Sequence, residues 1–157
     1  NDSIHSHVDI FKCGLQQKVL GFNRHVPWPV HRSSTITVCD NITPGTRTPG
    51  LGKHSHIDGR NGVFFGKNVR IGSHVKIISM NHDVNDYDKY IKAKPIKIGD
   101  NCWIGAGVTI LAEVELGEHT VVAAGAIVTK SFSEGNQIIG GNPAKIIKKL
   151  SAYEGEV

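Results

Sequence analysis

Residues 98–130 read IGDNCWIGAGVTILAEVELGEHTVVAAGAIVTK. An aliphatic residue returns at every sixth position, as Ile98, Ile104, Ile110, Leu116, Val122 and Val128, and Gly99, Gly105, Gly117 or Ala123 follows four of them directly. Cys102, Val108, Val114, Thr120 and Ala126 form a second, smaller row at the fifth position. A helix repeats near 3.6 residues and a strand near 2. A period of six instead fits a solenoid whose flat faces each take one hexapeptide, three faces and hence three hexapeptides to a coil. The glycines then mark corners, where the backbone needs unusual angles or close approach.

The same frame extends backward through Phe65-Gly66, Ile71-Gly72 and Ile77-Ile78, with Val63, Val69 and Val75 in the companion row, and fails between Asn81 and Pro95. The interval from Ile77 to Ile98 is three positions more than a whole coil, so an excursion near 81–95 leaves the wall and rejoins it. Ile36, Val38 and Ile42 read as the start of the solenoid, and His56 and His74, one full coil apart in sequence, are expected to lie one above the other. Before them, Asp9–Leu20 reads as a short helix with Ile10, Phe11, Leu15, Val19 and Leu20 as its apolar stripe. Pro27-Trp28-Pro29 reads as an extended covering segment. Trp28 there either anchors the segment or lines an acceptor pocket. After Val128 the Gly140-Gly141 pair marks a turn, and Pro143 is placed to begin a C-terminal helix that covers the solenoid through Ile146, Ile147 and Leu150. The chain is thus expected to be an all-β solenoid, a parallel β-helix over 36–142, with a lead-in over 1–35 and a short C-terminal helix and tail over 143–157.

Composition excludes several classes. The 157 residues carry 18 Lys and Arg against 14 Asp and Glu, a net +4 without a dense basic run, so no nucleic-acid surface is expected. Cys13, Cys39 and Cys102 give neither a disulfide framework nor a paired metal motif, and Cys102 falls on an inward row as a buried thiol. His5 and His7 flank one residue without a third ligand, so no metal is expected. No apolar run approaches the length of a membrane-spanning helix and the start lacks the apolar region of a secretory signal, which leads to the expectation of no integral membrane segment and a cytoplasmic protein. Gly-x-Ser-x-Gly, Gly-x-Gly-x-x-Gly and Walker patterns are missing from the sequence, which argues against serine hydrolases, dinucleotide oxidoreductases and P-loop enzymes.

Asn81-His82-Asp83 opens the excursion, so His82 leaves the wall at a corner beside a loop. A neutral imidazole in such a place can take the proton of a hydroxyl that attacks an activated carbonyl. Ala106 and Ala124 sit one coil apart, at the third position of their hexapeptides. Two small residues stacked at an edge serve either tight stacking or an extended cofactor arm. The lysines of 145–149 form either a solvated face or a contact to phosphate.

With Asn61-Gly62, Val69-Arg70-Ile71-Gly72, Asn81-His82-Asp83, Asn101-Cys102-Trp103-Ile104-Gly105-Ala106-Gly107, Gly125–Lys130 and Gly141-Asn142-Pro143-Ala144-Lys145, the sequence resembles the hexapeptide-repeat, left-handed parallel β-helix acyltransferases, especially the galactoside, maltose and xenobiotic acetyltransferase branch. The resemblance covers about residues 57–150. It implies a homotrimer with acetyl-CoA in a groove between neighbouring solenoids, His82 as the catalytic base, and Asn81 and Asp83 shaping or polarising its site. It further implies Trp103 in the groove wall, Ala106 and Ala124 flanking the pantetheine arm, and Thr129, Lys130 and Lys148 toward the nucleotide. The segment Arg24–His31 looks more like small sugar acyltransferases of surface-polysaccharide assembly, which points to O-acetylation of a saccharide. Serine or xenobiotic O-acetylation, amino-sugar N-acylation and a non-catalytic solenoid are the alternatives.

Overall fold

The computed structural model describes residues 7–155. Its body is a left-handed parallel β-solenoid of about five coils, triangular in section. The first face stacks Thr35–Thr37, His56–Asp58, Lys76–Ile78, Thr109–Ile110 and Ile127–Val128. The second stacks Ile42–Thr43, Val63–Phe65, Ile96–Ile98 and Glu115–Leu116, and the third stacks Arg70–Ile71, Trp103–Ile104, Thr120–Val122 and Gln137–Gly141.

Both hexapeptide rows point inward. Ile36, Ile57, Ile77, Ile110 and Val128 align in parallel register down the first face, and Ile71, Ile104, Val122 and Ile139 down the third. Val63, Val69, Val75, Cys102, Val108, Val114 and Ala126 fill the remaining core. Burying each branched side chain contributes about 1.5–3 kcal/mol, so one strong period builds a long core from strands of two or three residues.

The two demands of a corner fall on different positions. Backbone angles with positive φ occur at Asn101, Gly107, Glu113, His119 and Gly125, one per hexapeptide, and only two of these are glycine. The glycines that follow the aliphatic row serve close approach. A Cβ added at Gly105 would lie 2.7 Å from the Ala124 nitrogen and 2.8 Å from the Val122 carbonyl oxygen, which accepts the Gly105 N–H at 2.9 Å.

The excursion leaves at the corner between the first and second faces. Ile77 pairs directly with Ile110 although nearly two coils of sequence separate them, so most of a coil's length is spent outside the wall. That length includes an antiparallel hairpin of Asn81–Asp83 and Asp86–Ile91. The early coils also exceed three hexapeptides. His56 therefore pairs with Lys76, and it is His54 whose ring stacks on His74, 5.0 Å between centres and 22° between planes.

The expected C-terminal helix is a strand. Ala144–Lys149 turns back antiparallel to Gln137–Gly141, and Lys148 lies opposite Ile138. The last coil presents an unpaired strand edge, and an antiparallel partner satisfies its backbone groups where a helix would not; Ile146 and Ile147 suit a strand by their branching. The described helix is at the other end, His7–Leu20. Its expected apolar stripe does not pack, and Phe11, Leu15 and Val19 are exposed. The helix docks through Cys13 and Gln17, whose amide donates to the carbonyls of Asn23, Val26 and Trp28 at 2.8, 2.7 and 3.1 Å. Trp28 donates its indole N–H to the Pro49 carbonyl at 2.9 Å, an anchor for the covering segment. His5 lies outside the described residues.

The split between close approach and backbone angle is testable by thermal unfolding. Gly105→Ala is expected to cost about 1–3 kcal/mol through overpacking, and Gly105→Asn more. At Gly125, where φ is +72° and an added Cβ would meet nothing within 4 Å, Gly125→Asn is expected to be nearly neutral.

Candidate active site

His82 stands on the exposed hairpin, whose own residues Tyr87 and Tyr90 contact its ring. Its Nδ1 lies 2.5 Å from the Tyr87 carbonyl oxygen. A carbonyl only accepts, so in the neutral imidazole this contact places the proton on Nδ1 and the lone pair on Nε2. The Tyr90 ring, opposite His82 in the hairpin, covers the imidazole at 4.6 Å between centres and 45°. Asp83 closes the hairpin turn by accepting the Asn85 N–H at 2.7 Å, and Asn81, opposite Ile91, is exposed at the hairpin base.

The other predicted site residues fall in two groups. Thr129 and Lys130 follow Ile127–Val128 and share the first–second corner with His82, two coils further along; the Lys130 ammonium sits 5.7 Å from the centre of the Phe132 ring. Trp103 is 52% exposed on the third face, in one register row with Val121, Ile138 and Lys148. Ala106 and Ala124 are exposed and stacked at the corner between the third and first faces, where the Gly125 N–H donates to the Ala106 carbonyl at 2.8 Å. The third face lies across the prism from the corner that carries His82. Within one chain the two groups therefore look away from each other.

The two corners of the third face are built differently. At the second–third corner the positive-φ positions are Asn68, Asn101, His119 and Asn136; the Asn68 amide donates to Asn101 at 3.0 Å, and His119 Nδ1 lies 3.0 Å from the Asn136 side-chain oxygen. At the third–first corner the corresponding positions run His54, His74, Gly107, Gly125. Larger side chains fit this backbone geometry, as the first corner demonstrates. The bare stretch over Ala106-Gly107 and Ala124-Gly125 is thus an opening that the fold itself does not require.

Residues 95–130 match the family described as bacterial transferase hexapeptide (six repeats). A galactoside acetyltransferase solved in complex with coenzyme A superposes with a TM-score of 0.69 at 28% identity, over 78% of this chain and 64% of that one. A hexapeptide-repeat-containing acetyltransferase of Vibrio cholerae O1 biovar eltor, solved with acetyl coenzyme A, gives 0.57 at 26% identity, over 76% and 66%. In its repeat and in its fold the chain is similar to hexapeptide-repeat acetyltransferases. A provisionally named acetyltransferase of Saccharomyces cerevisiae is 38% identical over 93 residues, 57% of this chain and 46% of the relative. The chain spans a little under half the length of the first curated relatives it matches.

A further group of interacting side chains lies beneath the hairpin. Asp58 is 1% exposed, accepts from the Thr37 hydroxyl at 3.1 Å, and holds the Arg60 guanidinium at 3.0 Å. Burial pushes its carboxyl upward, but the Arg60 side-chain and backbone hydrogen bonds outweigh burial and leave its pKa below the usual carboxylate range. The same guanidinium lies 5.3 Å from the centre of the Tyr90 ring. Beside them a cavity of about 440 Å³ is lined by Asn41, Arg60, Asn61, Phe64, Lys92 and Pro95, among others. Asp58, Arg60 and Tyr90 went unassigned in the sequence; the only cue was a charged Asp-Gly-Arg corner preceding the excursion. The Tyr87 carbonyl leaves no sequence signal at all.

Among the described residues no group of three His, Cys, Asp or Glu side chains could hold a metal ion, and no helix is long and apolar enough to cross a membrane. The three cysteines are free and buried; burial raises each thiol pKa, that of Cys102 to about 11. Ellman's reagent at pH 8 is accordingly expected to leave all three thiols almost unmodified in the folded protein and to titrate them in denaturant. Rapid modification of Cys102 in the native state would contradict its placement.

Proposed function

We propose that this protein is an acetyl-CoA-dependent O-acetyltransferase that acetylates a saccharide hydroxyl by direct transfer. The observation that carries the reading is the orientation of His82. With Nδ1 engaged by the Tyr87 carbonyl on an exposed hairpin, Nε2 is the ring nitrogen left to act as a base. Nε2 takes the acceptor hydroxyl proton as that oxygen attacks the thioester carbonyl, and delivers it to the departing sulfur as the C–S bond breaks. Asn81 and Asp83 hold the hairpin that aims the ring. No acyl group passes through the protein, and holding two substrates together supplies much of the rate.

The bare edge at Ala106 and Ala124 suits the pantetheine arm, with Trp103 as an adjoining wall and Lys148, Thr129 and Lys130 toward the nucleotide phosphates. Because the two groups look away from each other within a chain, a homotrimer is the arrangement we infer, each site using the His82 hairpin of one copy and the third-face edge of the next. The likeness to a galactoside acetyltransferase supports a saccharide as acceptor. Three free, buried thiols suit a reducing cytoplasm.

With acetyl-CoA and a panel of sugars, thiol release is expected to fall about 100- to 10,000-fold in His82→Ala, with the oligomer unchanged by sedimentation. Full turnover in that variant would remove His82 from the mechanism. A mixing experiment tests the shared site. Equal amounts of His82→Ala and Ala106→Trp chains, each inactive alone, should recover about a quarter of wild-type activity after co-refolding, because a quarter of the sites pair two intact halves. No recovery would place the whole site within one chain.

A further inference from the structure

We propose that Arg60 is a positioning residue for the reaction, acting through Tyr90 to hold the His82 imidazole in its base-competent orientation. This rests on the reading of His82 as the base. A two-stranded hairpin is marginal on its own in water, and this one is well exposed, with Val84, Tyr87 and Tyr90 all largely open to solvent. What fastens it is the corner of the preceding coil. The Asn61 side-chain amide donates to the carbonyls of Ser79 at 2.9 Å and Ile91 at 3.2 Å, which fixes the two stems. Arg60 reaches further out, to the ring that covers His82.

The buried carboxylate of Asp58 makes sense in this light. A buried ion pair is poor evidence for stability, because desolvation offsets the attraction. Asp58 nevertheless receives the Arg60 backbone N–H at 3.1 Å and both Nε and Nη2 of its guanidinium at 3.0 Å, a two-pronged grip that leaves the guanidinium a single orientation. The immobilised cation lies within the range of a cation–π contact with Tyr90. Tyr90 in turn packs 4.6 Å from His82, so its ring limits the plane of the imidazole while Tyr87 fixes which nitrogen carries the proton. A freed His82 side chain would rotate away from the Tyr87 carbonyl, and Nε2 would no longer point in one direction.

The experiment combines kinetics with a direct view of the ring. In Arg60→Met and Tyr90→Leu, kcat is expected to fall about 10- to 100-fold, the size of loss that misplacing a catalytic group produces. KM for the sugar and for acetyl-CoA should stay within about twofold, and Tyr90→Phe, which keeps the ring face, should retain most of kcat. Nitrogen-15 spectra of the histidine rings, with the His82 signals assigned by their loss in His82→Gln, should report the Nδ1–H tautomer in the wild type and in Tyr90→Phe. Arg60→Met and Tyr90→Leu should instead give an averaged tautomer signal at an unchanged melting temperature. An unaltered His82 tautomer in Tyr90→Leu would overturn the proposal. So would a rise in sugar KM at constant kcat in Arg60→Met, which would make Arg60 a wall of the adjoining cavity in contact with the acceptor. The tautomer measurement needs no turnover, so it reads the positioning even if His82→Ala kinetics exclude His82 as the base.

Discussion

The coils of this protein stack at the strand spacing that backbone hydrogen bonds set, about 4.8 Å, and that spacing constrains nearly everything else. At the second–third and third–first corners it favours a small residue after the inward aliphatic, because the next backbone occupies the space a Cβ would need, as at Gly72 beneath Ala106 and Gly105 beneath Ala124. It also consumes the polar groups of the wall. Gly99, Gly105 and Gly117 each donate to the carbonyl one coil on, to Leu116, Val122 and Phe132. What remains available for chemistry is the outward row of each face, the turn residues at the corners and any segment that leaves the stack.

The two corners bordering the third face illustrate how that remainder is used. Both repeat a left-handed backbone angle, and one fills it with a polar ladder from Asn68 to Asn136 that is satisfied by its own members and by the Tyr153 hydroxyl. The other changes character along its length, from the stacked rings of His54 and His74 to the bare Gly107 and Gly125. The same local geometry thus carries three kinds of surface. The left-handed backbone angle admits both Asn and Gly, so it does not by itself set which surface appears.

The sequence made the solenoid legible because one period controls both the core rows and the close-approach glycines. Ile104 and Val122 needed only their spacing to be placed. The excursion was visible as a break in that spacing, and His82 as a polar group at the break. Failures came where pairing partners decided the outcome. Residues 144–149 carry a helix-compatible pattern, and the open edge of Gln137–Gly141 overrides it. His74 stacks on His54 and not His56 because the early coils exceed the regular repeat, a change in length that single positions do not reveal. Phe11, Leu15 and Val19 were read as a packing stripe, while the contacts of the helix run through Gln17, a polar residue whose value lies in the four backbone groups it satisfies.

The same constraint bears on the proposal that the base stands on an excursion. An imidazole acts predictably as a base only when one nitrogen is tied up by an acceptor and the other is left open. Within the stack, backbone carbonyls are largely engaged between coils, and His119 takes its orientation from another side chain, that of Asn136. The hairpin has two strands and therefore free edges. One of its carbonyls, that of Tyr87, is open to His82 Nδ1. Freedom from the stack supplies the acceptor but removes the rigidity. The contacts of Asn61 and Arg60 return part of that rigidity by tying the hairpin to the coil below, while His82 still stands clear of the wall.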